Sequence, residues 1–179
     1  MRAQAGADGR ILTPERLQRL GFFREFTPPE LRRLARMGDL QTYYAGEVLA
    51  TEGTRKQRRV LYVLLQGELQ YVKRVRGERA IVILTLRPGD VGGFLTFFND
   101  NPSPVGVRSP SRSAVLEIGR REFQALLGDE PRLAGKLLTA LVRATVSRLE
   151  VLLDRVAATS AWALDLEHHL RIFPLTPRE

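Results

Sequence analysis

Glycine supplies the most visible chemistry in this sequence. Gly89, Gly92 and Gly93 fall within five residues, which lets the backbone take positive φ and approach another group closely. Phe94-Leu95-Thr96-Phe97-Phe98 follows, long enough for about one helical turn whose apolar side must be covered. A glycine turn that opens a helix presents free backbone N–H groups, so the chemistry on offer is anion binding. Asn99-Asp100-Asn101-Pro102-Ser103-Pro104 is turn-forming throughout. The whole stretch, residues 89–109, lies between two strand-like runs, 80–86 and 113–118. The same features suit an ordinary connection between strands, and on these residues alone both readings stay open.

Other chemistry is harder to find. There is no GxSxG elbow, no phosphate-binding Walker loop and no HExxH. The chain has no cysteine, which excludes disulfides and thiolate metal sites. Its two histidines, His168 and His169, are adjacent, and neighbours on a helix point about 100° apart, a poor basis for a metal site. Asp165 and Glu167 stand two apart on a helix and do not converge as an acid/base pair. Asp90 and Asp100 flank the glycine stretch with no base or metal ligand beside them. The expectation is a protein that is not an enzyme and holds no metal.

The elements that must position the glycine stretch read as a short helical lead followed by a run of strands. Residues 1–10 read as a disordered lead. Thr13-Pro14-Glu15 starts a helix, with Thr as N-cap and Pro at the first helical position; Leu17 and Leu20 give it an apolar side, and it ends near Gly21. Thr27-Pro28-Pro29-Glu30 starts a second helix with capping-box spacing, lined by Leu31, Leu34 and Met37 and stopped at Gly38. From Leu40 the period changes. Strands are expected over 40–44, 48–50, 59–65, 68–73, 80–86, 105–108 and 113–118, seven runs in a series of about eight, with glycine turns every seven to fourteen residues. Such a series predicts an antiparallel barrel or sandwich.

The phrases Tyr44-Ala45-Gly46-Glu47, Glu52-Gly53, Leu61-Tyr62-Val63-Leu64-Leu65-Gln66-Gly67-Glu68 and Pro88-Gly89-Asp90 resemble, in order and spacing, the glycine pattern of the cyclic-nucleotide-binding domain family. The resemblance covers roughly residues 17–153. It implies an α+β, mainly β fold: an antiparallel β-roll with two short N-terminal helices, a cassette helix and a long C-terminal dimerisation helix. It also makes residues 89–109 the counterpart of the family's phosphate-binding cassette, which begins Gly-Glu-Leu and ends on an Arg. Gly93 and Leu95 fit. The family's ribose-binding Glu falls on Phe94, and its phosphate-binding Arg on Ser103 or Pro104, depending on one gap. The shell of the cassette is present without its two charged ligand contacts. Cassette positions Gly92, Gly93, Phe94, Leu95, Ser103, Pro104, Val105 and Arg108 are therefore the candidate site, and if the chain is a sensor with altered contacts Arg108 is the relocated cation for the phosphate. Phe94, Leu95, Phe97 and Phe98 offer apolar filling at this position, and one or more of the rings is expected to occupy the nucleotide space.

After Ile118 the pattern turns helical. Residues 119–127 predict a short helix stopped near Gly128, and Pro131 opens a long one expected to run to about Thr159. Leu138, Val142, Leu149, Leu152 and Val156 recur at alternating three- and four-residue spacing, with Thr145 at the vacant position, the pattern of a two-stranded coiled-coil seam. Leu137, Leu141 and Leu153 lie off the seam, available to cover the roll. A further helix is expected over 160–173, with Trp162, Leu166, His169, Leu170 and Phe173 on one side and Pro174 as its stop. The expected organisation is a lead (1–10), the roll with its helices (11–128), the dimerisation helix (129–159) and a terminal helix and tail (160–179). DNA-reading relatives carry a winged helix-turn-helix beyond this point, which needs on the order of 50 residues; a regulator of that type is not expected.

A net charge of +8 and a pI near 10.7 invite a nucleic-acid reading. The basic residues cluster at 55–59, 73–76, Arg108 with Arg112, and Arg120-Arg121, but basic runs are commonly solvated faces, and specific nucleic-acid binding is not the expectation. No apolar run approaches about 18 residues, and the N-terminus has no apolar signal region, so a cytoplasmic protein without a membrane span is expected. The resulting expectation is a non-catalytic, homodimeric regulatory module with an unidentified protein partner and no cofactor. A sensor of cyclic mono- or dinucleotides with altered contacts, and a basic scaffold for nucleic acid or an acidic protein, are the alternatives.

Overall fold

A computed structural model describes residues 12–54, 59–75, 79–99 and 101–172, the side chains of 170–172 excepted. The expected lead at 1–10, most of the basic run at 55–58, the turn at 76–78, and Leu170, Phe173 and Pro174 of the terminal helix lie outside this description.

The N-terminal helices form where their caps predict. In α1 (Pro14–Gln18) the Arg16 amide donates to Thr13 Oγ1 at 3.4 Å. A single 3-10 turn, Gly21–Phe23, intervenes before α2 (Pro28–Met37). At the start of α2 the Thr27 amide donates to Glu30 Oε2 at 2.6 Å, the reciprocal half of a capping box. Leu17, Leu31 and Leu34 are fully buried, as are Phe23 and Phe26 beside them.

Eight strands follow: β1 (Asp39–Tyr43), β2 (Val48–Ala50), β3 (Val60–Gln66), β4 (Leu69–Arg74), β5 (Ala80–Leu86), β6 (Val91–Gly92), β7 (Gly106–Arg108) and β8 (Ser113–Gly119). They form two four-stranded antiparallel sheets, ordered β1-β8-β3-β6 and β2-β7-β4-β5. Side chains alternate across each strand. Tyr43, Tyr62, Leu64, Leu69, Tyr71, Leu86, Val107 and Val115 therefore converge in one core between the sheets, joined by Val105. The opposite side of β3 and β8, carrying Leu61, Val63, Leu116 and Ile118, is buried as well, which explains why β3 reads as a near-continuous apolar run rather than an alternating one. The fold is the expected β-roll. Only the two-residue β6 escaped the reading, because it lies inside the glycine stretch.

Two helix boundaries differ from expectation. The fourth helix, α4 (Arg120–Asp129), runs through Gly128 and stops only before Pro131. Gly costs about 1 kcal/mol in a helix interior, and that is too little to end one whose Phe123 and Leu126 are buried. After the cassette helix α3 (Phe94–Phe97), the last element, α5, is one continuous helix, Pro131–Ile172, of 42 residues. No break occurs at Thr159. Ala157-Ala158-Thr159-Ser160-Ala161 holds neither Gly nor Pro, so nothing local interrupts the hydrogen-bond ladder.

The chain divides into two compact units, residues 1–140 and 141–179. The first contains the roll and its helices, including Leu133, Ala134 and Leu137, all buried at the start of α5. In the second, every side chain from Leu149 to His169 is exposed.

Candidate functional site

The cassette is held by glycines at which any side chain would force the surroundings to shift. Gly93 has φ of +87°, and a Cβ there would stand 2.0 Å from the Val60 carbonyl oxygen. A Cβ on Gly92 would lie 2.4 Å from the Tyr62 ring. Both glycines thus permit a close approach, as their spacing predicts, but what approaches is the chain's own β3. The Gly93 amide donates to Tyr71 Oη at 3.4 Å, and Tyr62 Oη donates to Tyr71 Oη at 3.0 Å. A tyrosine hydroxyl from β4 stands where an anion's oxygen would meet this N–H. The cassette helix opens with the Thr96 and Phe97 amides both donating to the Gly93 carbonyl, at 3.2 and 3.1 Å.

Inside the roll these residues border a cavity of about 30 Å³, lined by Tyr43, Leu49, Ala50, Val60, Tyr62, Tyr71, Gly93, Leu95, Thr96, Ser103, Val105, Val107 and Glu117. That is room for a water molecule or two. Pockets for drug-sized ligands run from about 300 Å³ upward. No Lys or Arg is among these lining residues. The charged group present is a carboxylate: Glu117 on β8 is 3% exposed and accepts from Tyr43 Oη at 2.5 Å.

The two placements of the missing cassette cation now separate. Ser103 is buried and lines the cavity; its hydroxyl donates to the Val105 carbonyl at 2.7 Å, and its backbone pairs with Gly53 and Thr54. Pro104 is exposed, and its carbonyl accepts from Lys73 Nζ at 2.7 Å. An inward-facing cation would therefore have to come from position 103. Lys73 also meets Glu52 Oε1 at 2.6 Å, while the Arg74 amide donates to Glu52 Oε2 at 2.9 Å. These contacts, that with Lys73 first, hold the Glu52 carboxyl below the ordinary glutamate range. Part of the basic run at 73–76 is thereby neutralised within the fold.

Two expectations are corrected here. Arg108 does not reach the cavity. It pairs with Gln70 across β4 and β7, while the neighbouring Tyr71–Val107 pair faces inward, so alternation puts Arg108 on the outer face. There its Nε donates to Gln70 Oε1 at 3.1 Å. Nor do the phenylalanine rings fill the interior. Phe97 is buried edge-on against Phe123 of α4, with ring centroids 5.6 Å apart, and Phe98 packs on both. Phe94 is half-buried and is not among the lining residues. Leu95 alone of the four apolar residues borders the cavity. Tyrosines from β1, β3 and β4 (Tyr43, Tyr62 and Tyr71) line the space. These were missed because they are far from the cassette in sequence; the alternation of β3 and β4, which puts Tyr62 and Tyr71 on one face, was the available signal.

Along α5, Leu138 is half-buried, while Val142, Leu149, Leu152 and Val156 are all exposed. Leu137 and Leu141 are buried as expected; Leu153 is exposed, because its stretch of α5 buries no side chain.

Comparison with known proteins agrees with this geometry. The sequence model of the cyclic nucleotide-binding domain matches residues 40–130, just over half the chain, and the chain belongs to that family. It is 22% identical over 129 residues to the CRP-like cAMP-activated global transcriptional regulator of Mycobacterium tuberculosis, an alignment covering 72% of this chain and 57% of the relative. Among solved structures it resembles a cyclic nucleotide-binding domain from Methylobacillus flagellatus, with TM-score 0.72 and 20% identity over 84% of this chain and 83% of that one. It also resembles the catabolite activator protein of Thermus thermophilus, with TM-score 0.62 and 19% identity over 76% of this chain and 62% of that one. At such identities the structural likeness speaks for the fold.

Proposed function

We propose that this chain is a non-catalytic regulatory module that has kept the cyclic-nucleotide-binding roll and given up the usual mode of binding cyclic AMP. The observation that carries this reading is the cavity of about 30 Å³, an order of magnitude below a ligand pocket. Its composition points the same way. Ser103 and Phe94 stand at the family's cation and ribose-acceptor positions, and the one acidic side chain among the lining residues, Glu117, offers a phosphate no cation. Each hydrogen bond to a charged group is worth about 1.5–3 kcal/mol, so loss of the arginine alone weakens binding by about one to two decades.

The module acts as a homodimer through α5, whose Leu138, Val142, Leu149, Leu152 and Val156 keep coiled-coil spacing and, from Val142 onward, are exposed. Partner proteins would read the dimer, with the roll held in one state, because no ligand is available to shift it. No helix of the described residues is long and apolar enough to cross a membrane. Thermal unfolding with cyclic AMP, cyclic GMP and cyclic di-GMP tests the reading. A ligand present at 100 times its Kd stabilises by about 2.7 kcal/mol, or roughly 5 °C or more for a domain of this size. No shift is expected at millimolar nucleotide; a shift of that size overturns the proposal.

A further inference from the structure

We infer that the α5 seam does not stop at Val156 but continues through the distal part of the helix, where it meets the same segment of a second copy. The inference rests on the dimer reading and goes beyond it, because the distal segment lies past Val156, where the proposed seam ends. Two observations carry it.

The first is continuity. Since α5 is unbroken to Ile172, the alternating three- and four-residue spacing can be followed past Val156, and it lands on Thr159, Ala163 and Leu166. A seam that keeps this spacing on one helix stays on one face. Its distal layers are small, Thr159 and Ala163, so two helices could approach closely there. Trp162, next to the Ala163 layer and 65% exposed, would be the side chain to roof it.

The second is area. A lone helix that buries no side chain from Leu149 to His169 has nothing to offset its apolar exposure. Pairing Val142, Leu149, Leu152, Val156 and Leu166 with their flanking Val146, Leu153 and Trp162 across two copies removes on the order of 1,000 Å² from water. This is the threshold for a stable specific interface. The distal layers supply Leu166 and Trp162 to that total.

The absence of cysteine makes the test clean. Three variants of the full chain are oxidised side by side: Thr145→Cys in the proximal seam, Ala163→Cys in the distal seam, and Ala161→Cys on the outer face. A short bismaleimide reagent is run in parallel, for sulfurs that are close but misaligned for a disulfide. Cross-linked dimer at 145 and at 163, each at least tenfold faster than at 161, is the expected result. Cross-linking at 145 without 163 overturns the extension and leaves the dimer standing. Equal rates at 161 and 163 overturn the proposed face. No cross-link at 145 overturns the dimer reading and the extension with it.

Discussion

The cassette and the distal half of α5 are both apolar, yet one is closed by its own chain and the other is open. At the cassette, Gly92 and Gly93 press against Tyr62 and the Val60 carbonyl, Tyr71 receives the Gly93 amide, and Phe97 is locked on Phe123. Little space is left for anything else. Along α5, Leu149, Leu153, Val156 and Trp162 are all more than half exposed. In the proposed reading the surface completed internally takes no ligand, and the one left uncovered meets a partner. The place where this family's relatives are named for binding a nucleotide is thus the less inviting of the two.

The open side breaks most completely. Replacing Leu149 and Leu152 together with Asp puts four carboxylates into the seam of a dimer, at several kcal/mol each. Light scattering should then give the monomer mass. An unchanged mass, or a monomeric wild type, removes the seam. The closed side is broken by Gly93→Ala. A side chain at φ +87° facing the Val60 oxygen at 2.0 Å should cost more than about 3 kcal/mol in urea unfolding; a loss under 1 kcal/mol would mean the cassette is loose. A milder change is Tyr71→Phe, which removes the acceptor for Gly93 and Tyr62. It should cost about 1 kcal/mol and speed hydrogen exchange at the Gly93 amide.

The smallest effect is on pH dependence. Burial opposes ionisation of Glu30, but Lys136 at 2.7 Å and the Thr27 amide outweigh it, leaving its carboxyl below the ordinary range. Glu52 is lowered in the same direction by Lys73 and Arg74. A carboxyl depressed in the folded state stabilises above its unfolded value, and that contribution is lost as pH falls through the folded one. Stability should therefore decline from the ordinary glutamate range downward. Glu30→Gln should flatten part of the decline, and an unchanged profile would show that Lys136 contributes nothing there.

Much of the fold was legible because the glycine turns and the change of period are local signals. Seven strands and both N-terminal caps lie where composition puts them. What could not be read was what each glycine is close to. The spacing of Gly92 and Gly93 announces a near neighbour, but only the pairing of β3 with β6 makes that neighbour Tyr62 rather than a phosphate. Likewise Glu117 reads as one polar residue in an apolar strand. Its partner Tyr43 is 74 residues away and reaches it only once β1 pairs with β8. The end of α5 differs for another reason: no Gly or Pro stands near Thr159, so the helix goes on to Ile172.

Calorimetric titration with cyclic AMP, run on the wild type and on Phe94→Glu/Ser103→Arg, bears most directly on the claim that the roll has given up its nucleotide. The wild type should give no saturable heat, and the double variant should gain detectable affinity while losing stability, because it buries charge without a ligand. A wild-type Kd that is micromolar or tighter would contradict the account.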